Sequence, residues 1–317
     1  MARILVTGSR GVVGSYIVPM LISRGHSVFG IDLTHATGEV GWEHELAKTK
    51  FTYARCDVSD FRQLERVFEK AGPFDFVYHA AAEFGRWNGE DYYEQVWRSN
   101  AIGTKHMIRL QEKLGFKLIH FSTSEVYGNH DGTMFEDVMT KVVIKQMNDY
   151  AMSKWVNEMQ IINSAIQYKT KTVVVRLFNT YGPGEWYHPY RSVNAKFCYH
   201  ALHGIPITVY RGHYRTSTYL EDTCTTLCNI VDNFKAGEIY NIGGNEYHDI
   251  ETLADIIWDY TGASRKLITY RKSEELTTKS KKVDISKAVK HLKHKPTISL
   301  EDGVKKTIDW MREYYGK

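Results

Sequence analysis

The strongest constraint on the fold of this 317-residue chain lies at its amino terminus, where an apolar run, a glycine-spaced turn and a helical pattern follow without a gap. Arg3-Ile-Leu-Val6 reads as a strand, Thr7-Gly8-Ser9-Arg10-Gly11-Val12-Val13-Gly14 as the turn, and Ile17, Leu21 and Ile22 as the apolar stripe of a helix. Gly8 permits the tight turn, Gly11 lets the backbone approach a pyrophosphate, and Gly14 lets helix and strand pack closely. A helix starting there points free N–H groups and its positive dipole end at phosphates. The spacing G-x-x-G-x-x-G is one residue wider at the first gap than the usual dinucleotide fingerprint. Val28-Phe-Gly-Ile31 reads as a second strand and ends on Asp32. An acid there, roughly twenty residues past the glycines, can accept hydrogen bonds from ribose hydroxyls. It would repel a 2′-phosphate, so the pattern predicts NAD over NADP, with Arg10 and Arg24 the cations that bear on that choice.

Strand and helix patterns go on alternating. Phe51–Arg55, a helix from about Asp60 to Lys70, Phe74–His79, a helix from about Tyr92 to Leu114, Lys117–Phe121, a helix through Tyr150 to about Tyr168, and Thr172–Leu177 follow in order. Such alternation predicts an α/β fold, a Rossmann-type doubly wound parallel sheet over residues 1–180, with ligands beyond the carboxyl ends of the strands. Past Gly182-Pro183-Gly184 the pattern loosens. Short apolar pieces (Ile207–Tyr210, Glu238–Ile242, Lys266–Tyr270) alternate with helices near Asn194–His203, Glu221–Asp232, Ile250–Thr261 and Leu300–Tyr315. Residues 181–317 are therefore expected to form mainly a smaller C-terminal α/β lobe that covers the substrate.

Composition narrows the function classes. Hydrophobic content of 43% and charged content of 25% are globular values, and the net charge of +4 is scattered. The basic stretch Lys279 to Lys282 reads as a solvated loop, so no nucleic-acid partner is expected. No run approaches membrane-spanning length and the chain starts directly on its first strand, so neither a membrane anchor nor a signal peptide is expected. Cys56, Cys198, Cys224 and Cys228 lack the spacing of a disulfide framework or a metal site. Buried thiols, no metal and a cytoplasmic location are the expectation.

Chemistry enters with Tyr150 and Lys154, four residues apart and so on one helix face. A lysine beside a phenol favours the phenolate, which makes a general base for a sugar or alcohol hydroxyl. Further motifs accompany the pair: His79-Ala-Ala-Ala82, Asn100-Ala-Ile-Gly-Thr104, Phe121-Ser-Thr-Ser-Glu-Val-Tyr-Gly128 and Arg176-Leu-Phe-Asn-Thr-Tyr-Gly-Pro183. Together with the glycine turn they resemble the extended short-chain dehydrogenase/reductase family of nucleotide-sugar epimerases, dehydratases and decarboxylases, from Ile4 to about Gly244. The resemblance implies that Gly8, Arg10, Gly11, Val12 and Gly14 hold the NAD pyrophosphate end, Asp32 the ribose, and Asp57 with Val58 the adenine. Ala80, Ala81, Asn100 and Ser122 would line the rest of the cofactor site, and Lys154 would also meet the nicotinamide ribose. Thr123, Ser124 and Glu125 would join Tyr150 and Lys154 as catalytic residues. Glu83, Thr123, Asn179, Arg191 and Arg215 would meet the nucleotide-diphosphate sugar, Asn179 and Arg215 at its diphosphate. Arg176 reads as a structural salt bridge, and the segments Phe84–Trp97 and Trp186–Arg191 as core packing or a substrate lid. A homodimer through the helices around Asn100–Leu114 and Tyr150–Tyr168 is implied as well.

In the scheme the resemblance implies, Tyr150 takes the C4 hydroxyl proton as hydride leaves C4 for NAD⁺. A 4-epimerase then needs no second base, whereas a 4,6-dehydratase must remove the C5 hydrogen before water leaves C6. Glu125 stands where dehydratases carry that base. Thr123-Ser124-Glu125 differs from the Thr-Asp-Glu of thymidine-linked glucose dehydratases, so the acid for the departing hydroxyl is missing. The triplet is similar to that of GDP-mannose 4,6-dehydratases and UDP-glucuronate decarboxylases. NDP-hexose 4,6-dehydration is the first reading. The alternatives are 4-epimerisation of a hexose or hexuronate, UDP-glucuronate decarboxylation and, more remotely, an idle nucleotide-binding module. Tyr150→Phe is expected to abolish C4 oxidation, a loss of at least ~10²-fold, measured as nucleotide-sugar turnover.

Overall fold

The structure, a computed structural model, describes residues 1–34 and 51–317. Its centre is a seven-stranded, wholly parallel sheet. The strands are β1 (Arg3–Thr7), β2 (Ser27–Asp32), β3 (Thr52–Arg55), β4 (Phe76–His79), β5 (Lys117–Thr123), β6 (Thr172–Leu177) and β7 (Ile239–Ile242). They lie in the order β3-β2-β1-β4-β5-β6-β7. The order reverses between β1 and β4, and an open α/β sheet forms its ligand crevice at that point.

Side chains alternate across the sheet with the period of two that strand geometry imposes. Ile4, Val6, Tyr78, Phe121, Val173 and Val175 face one way, against helix α1 (Val12–Ser23) and a helix described below. Leu5, Val77, Leu118 and Val174 face the other way, against α2 (Phe61–Ala71), α3 (Gly103–Leu114) and Ile161 of α4 (Asp149–Tyr168). Both faces are covered, which is why these strands read as nearly continuous apolar runs. Asp60 starts α2 by accepting from the backbone N–H groups of Arg62 and Gln63, and Asn148 starts α4 by accepting from Ala151 at 2.9 Å.

The long helix expected from Tyr92 to Leu114 is interrupted. Short helices at Arg86–Asp91 and Tyr93–Val96 lead into a π-helical turn, Trp97–Ile102, before α3 begins. In this wider turn Asn100 is buried, its side chain bonding both the N–H and the C=O of Glu83, at 2.9 and 3.0 Å, and the Ser153 hydroxyl.

The smaller lobe packs α5 (Val193–His203), α7 (Ile250–Thr261) and α8 (Leu300–Tyr315) around Phe197, Leu253, Trp258, Val304 and Ile308. Among the described residues, three two-stranded sheets accompany it, pairing Ile207–Tyr210 with Ile268–Arg271, Tyr214–Thr216 with Tyr247–Asp249, and Thr180–Tyr181 with Thr218–Tyr219. The helix between α5 and α7, α6 (Leu220–Cys228), returns to the large sheet, and β7 follows it to pair with β6. From sequence both belonged to the smaller lobe; their apolar faces are as suited to one lobe as to the other, and the open edge of β6 decides. All four cysteines are buried and unpaired. Among the described residues, no helix is long and apolar enough to cross a membrane and no cluster suits a metal ion.

Beneath the future site lies an ion pair that is itself almost wholly enclosed. Arg176 on β6 meets Glu158 on α4 at 2.7 Å through Nη2 and 3.0 Å through Nε, each side chain 1% exposed. Its Nη1 donates to Tyr127 and to the Glu136 carbonyl, and Ser122 donates to Glu158. Arg176→Leu would strand the Glu158 charge in the core. It is expected to cost about 3–5 kcal/mol, measured by urea unfolding.

Candidate active site

A cleft of about 800 Å³ opens where the carboxyl ends of β1, β2, β4, β5 and β6 meet the smaller lobe. One end is built from small residues and acids: Gly8, Gly11, Val12, Gly14, Asp32, Asp57, Val58, Ala80 and Ala81 all line it. The glycines are required by space. A Cβ on Gly14 would sit 2.1 Å from the Gly8 carbonyl oxygen, and Gly8, at φ +66°, would drive a Cβ to 2.7 Å from the Ala81 nitrogen. Gly11 precedes α1 with no side-chain cap on the helix N-terminus. Asp32 is oriented by backbone donors, Arg10 N–H at 3.0 Å and Leu33 N–H at 2.7 Å. The Arg10 guanidinium lies 5.3 Å from the Tyr53 ring and outside the cleft lining.

Thr123, Glu125, Tyr150 and Lys154 line the middle of the cleft together. Lys154, expected from sequence to lower the Tyr150 pKa, is not among the groups that act on the phenol. Burial pushes the phenol up to about 12, with Thr123 acting downward and the Glu125 charge upward. Lys154 donates instead to the Phe121 carbonyl at 2.9 Å, and burial brings its own pKa down to about 8. Ser122 lines the cleft but its hydroxyl is committed to Glu158. Thr123 also caps the turn that follows it, accepting from Glu125 N–H at 3.2 Å. Ser124 and Asn100 are buried outside the cleft lining.

The clearest departure from the sequence reading is Lys281. It belongs to the basic stretch expected to be solvated, yet its side chain is 3% exposed, lines the cleft and is ion-paired with Oε1 of Glu125. Backbone geometry explains this. Lys281 N–H bonds Tyr214 O at 3.1 Å, Thr216 Oγ1 donates to Lys281 O at 2.9 Å, and Met134 N–H bonds Lys282 O at 2.7 Å. The segment is thus pinned between the lobes and its side chain turned inward. Burial alone would raise the Glu125 carboxyl; Lys281, with Arg215 and the Asn148 amide, holds it below the ordinary value. Oε2 of Glu125 is buried with no partner among the described residues. Arg215 lines the same wall, one guanidinium nitrogen donating to the carbonyls of Tyr214 and Lys279.

Comparison with known proteins assigns this architecture. The model of the NAD dependent epimerase/dehydratase family matches residues 4–243. The chain belongs to that family. This epimerase/dehydratase is 30% identical to a UDP-N-acetyl-alpha-D-glucosaminuronate decarboxylase from Bacillus cytotoxicus, over 98% of each chain. It is 28% identical to a dTDP-glucose 4,6-dehydratase from Salmonella typhimurium, over 97% of this chain and 92% of the other. Among solved structures, the UDP-glucuronic acid 4-epimerase from Bacillus cereus, in complex with UDP-glucuronic acid and NAD, superposes with a TM-score of 0.86 at 25% identity. That match covers 99% of this chain and 100% of the other. The protein is therefore an NAD-dependent enzyme of the nucleotide-sugar epimerase/dehydratase class. The glycine cradle and the oriented Asp32 fit that cofactor, which those residues would hold with Asp57, Val58, Ala80 and Ala81.

At the other end of the epimerase/dehydratase cleft, Asn179 is at φ +38° with its amide oxygen buried and without a hydrogen-bond partner among the described residues. Arg191 is held between Phe84 and Trp186, 4.1 and 4.9 Å from their ring centres. Glu83, also in the lining, accepts from Asn88 at 3.0 Å. Glu185 is a lining residue for which the sequence carried no signal: a buried carboxylate that accepts from Ser192, the N-cap of α5. Burial raises its pKa from 4.5 to about 7, against the opposing pull of Arg191 and Ser192. A carboxyl raised on folding favours the folded state below its unfolded pKa and loses that contribution as pH rises through the folded value. Glu185→Gln, which cannot ionise, should therefore gain stability relative to wild type between pH 4.5 and about 7, by on the order of 3 kcal/mol. Urea unfolding at pH 4.5 and pH 8 measures the difference.

Proposed function

We propose that this enzyme is an NDP-hexose 4,6-dehydratase. The observation that carries the reading is Glu125: a carboxylate held below its ordinary pKa in the same cleft as Tyr150 and Thr123, with one oxygen paired to Lys281 and the other without a hydrogen-bond partner among the described residues. Simple 4-epimerisation gives such a base nothing to do. When bound, NAD supplies the hydride acceptor for C4. Thr123 orients the C4 hydroxyl and Tyr150 receives its proton, with Lys154 as the cation that favours the phenolate once it turns from the Phe121 carbonyl. The 4-ketone acidifies C5–H, and Glu125 removes that proton. Asn179 and Arg215 are assigned to the substrate diphosphate, and Glu83 and Arg191 to the sugar end. The glycine cradle, Asp32, Asp57, Val58, Ala80 and Ala81 are assigned to NAD, so residues 1–180 serve the cofactor and residues 181–317 mainly the nucleotide sugar.

Decarboxylation of a nucleotide-linked hexuronate is the second reading. Lys281 and Arg215 favour it, because two cations beside one carboxylate leave an excess positive charge that a substrate carboxylate could neutralise. The Bacillus cytotoxicus relative points the same way. Pairing of two copies through α3 and α4, whose outer faces expose Leu114, Ile162 and Ile166, belongs to the proposal, as does a cytoplasmic location for a chain with four unpaired thiols.

Glu125→Gln is the discriminating variant. Incubated with UDP-, dTDP-, GDP- and CDP-sugars and followed by mass spectrometry, wild type should give a product lighter by one water. Glu125→Gln should still oxidise C4 yet form that product at least ~10²-fold more slowly. Loss of carbon dioxide from a hexuronate would establish the second reading, and an unchanged mass with a new chromatographic peak would establish an epimerase.

A further inference from the structure

A dehydratase needs an acid for the C6 hydroxyl as well as a base for C5–H, since hydroxide is a poor leaving group. The usual carboxylic acid is replaced here by Ser124, which is buried outside the cleft. Among the described cleft residues near Glu125, the groups that carry transferable protons at neutral pH are few. Arg215 keeps its proton, Tyr150 and Thr123 are engaged at C4, and Lys154 is bonded to Phe121 on the cofactor side.

Lys281 remains. Its ammonium touches Oε1 of Glu125, a lining residue of the cleft, while Oε2 of the same carboxylate is buried with no hydrogen-bond partner among the described residues. It makes no other hydrogen bond among the described residues through Nζ, which leaves two N–H donors for an incoming oxygen. Its backbone is pinned on both sides by Tyr214 and Thr216, which limits how far the side chain can swing away. We propose that Lys281 is the general acid of the elimination, delivering its proton to the C6 oxygen as Glu125 takes the proton from C5. The proposal rests on the dehydratase reading and supplies the proton donor that the Thr123-Ser124-Glu125 triplet lacks.

In the step, the C5–H bond breaks and its proton goes to Oε2 of Glu125. The electron pair forms the C5=C6 bond beside the 4-ketone. The C6–O bond breaks with its pair on oxygen, and that oxygen takes a proton from the Lys281 ammonium and leaves as water. Lys281 is left as the neutral amine. Burial lowers the Lys281 pKa and so eases this release, with Glu125 opposing and Arg215 assisting; these are the two charged groups that bear on it.

The test separates proton donation from mere charge. Wild type, Lys281→Arg and Lys281→Gln are incubated, each with its NAD, in D₂O with the NDP-hexose that wild type dehydrates. Water loss is read by mass spectrometry and C5 deuterium in recovered substrate by NMR. Arginine keeps the cation and the ion pair but does not give up its proton, and glutamine removes both. Both variants should lose water at least ~10²-fold more slowly while still exchanging deuterium at C5. Lys281→Arg dehydrating at the wild-type rate would overturn the proposal, because only charge would then matter. Loss of C5 exchange in both variants, with unchanged melting temperatures, would also overturn it and make Lys281 a positioning residue for Glu125. A wild-type enzyme that dehydrates no sugar marks instead the failure of the dehydratase reading itself.

Discussion

The enclosed ion pair of Arg176 and Glu158 is the interaction on which the site depends. It joins the strand before the Asn179 turn to the helix that carries Tyr150 and Lys154. Through Ser122 it fixes the end of the strand that delivers Thr123 and Glu125. Through Tyr127, whose hydroxyl donates to Asn241 at 2.7 Å, it reaches the seventh strand. Two charges so deeply buried carry a large desolvation cost, and only near-complete hydrogen bonding offsets it. That requirement leaves the helix one acceptable position against the sheet. The phenol, the threonine and the carboxylate inherit their geometry from it.

Burial also sets the resting protonation of the site. It raises the Tyr150 phenol to about 12 and lowers Lys154 to about 8, so both are biased towards their neutral forms. Glu125 departs from this bias because Lys281 and Arg215 outweigh its desolvation. The cleft therefore holds an ionised carboxylate and a protonated phenol. Of the two lysines, Lys281 is ion-paired with Glu125, whereas Lys154 is bonded to the Phe121 carbonyl.

Much of this was legible in the chain itself. Alternating apolar runs and helical stripes predicted the parallel sheet, since strand period and helix period are local properties. The glycine turn and Asp32 were legible because a tight turn and a close backbone approach tolerate few residue types. The Tyr150/Lys154 spacing placed both on one helix face, as helix geometry requires, although their electrostatic coupling did not follow, because Lys154 finds a backbone carbonyl first. The interruption before α3 was not legible in the sequence, since the apolar pattern continues across the π-helical turn.

What the sequence by itself determined is the fold class, the tight glycine turn after the first strand and the identity of the residues clustered after each strand. These depend on neighbours within a few positions. The tertiary structure alone decided which lobe the seventh strand joins, and that Glu185 and Lys281 enter the cleft. Lys281 is 156 residues from Glu125, and a run of lysines carries no mark of which one will be buried. Lys281 N–H donates to the Tyr214 carbonyl, while the Thr216 hydroxyl and Met134 N–H donate to the carbonyls of Lys281 and Lys282. These bonds turn that one lysine inward, and a charge left without water then takes the nearest carboxylate as its partner.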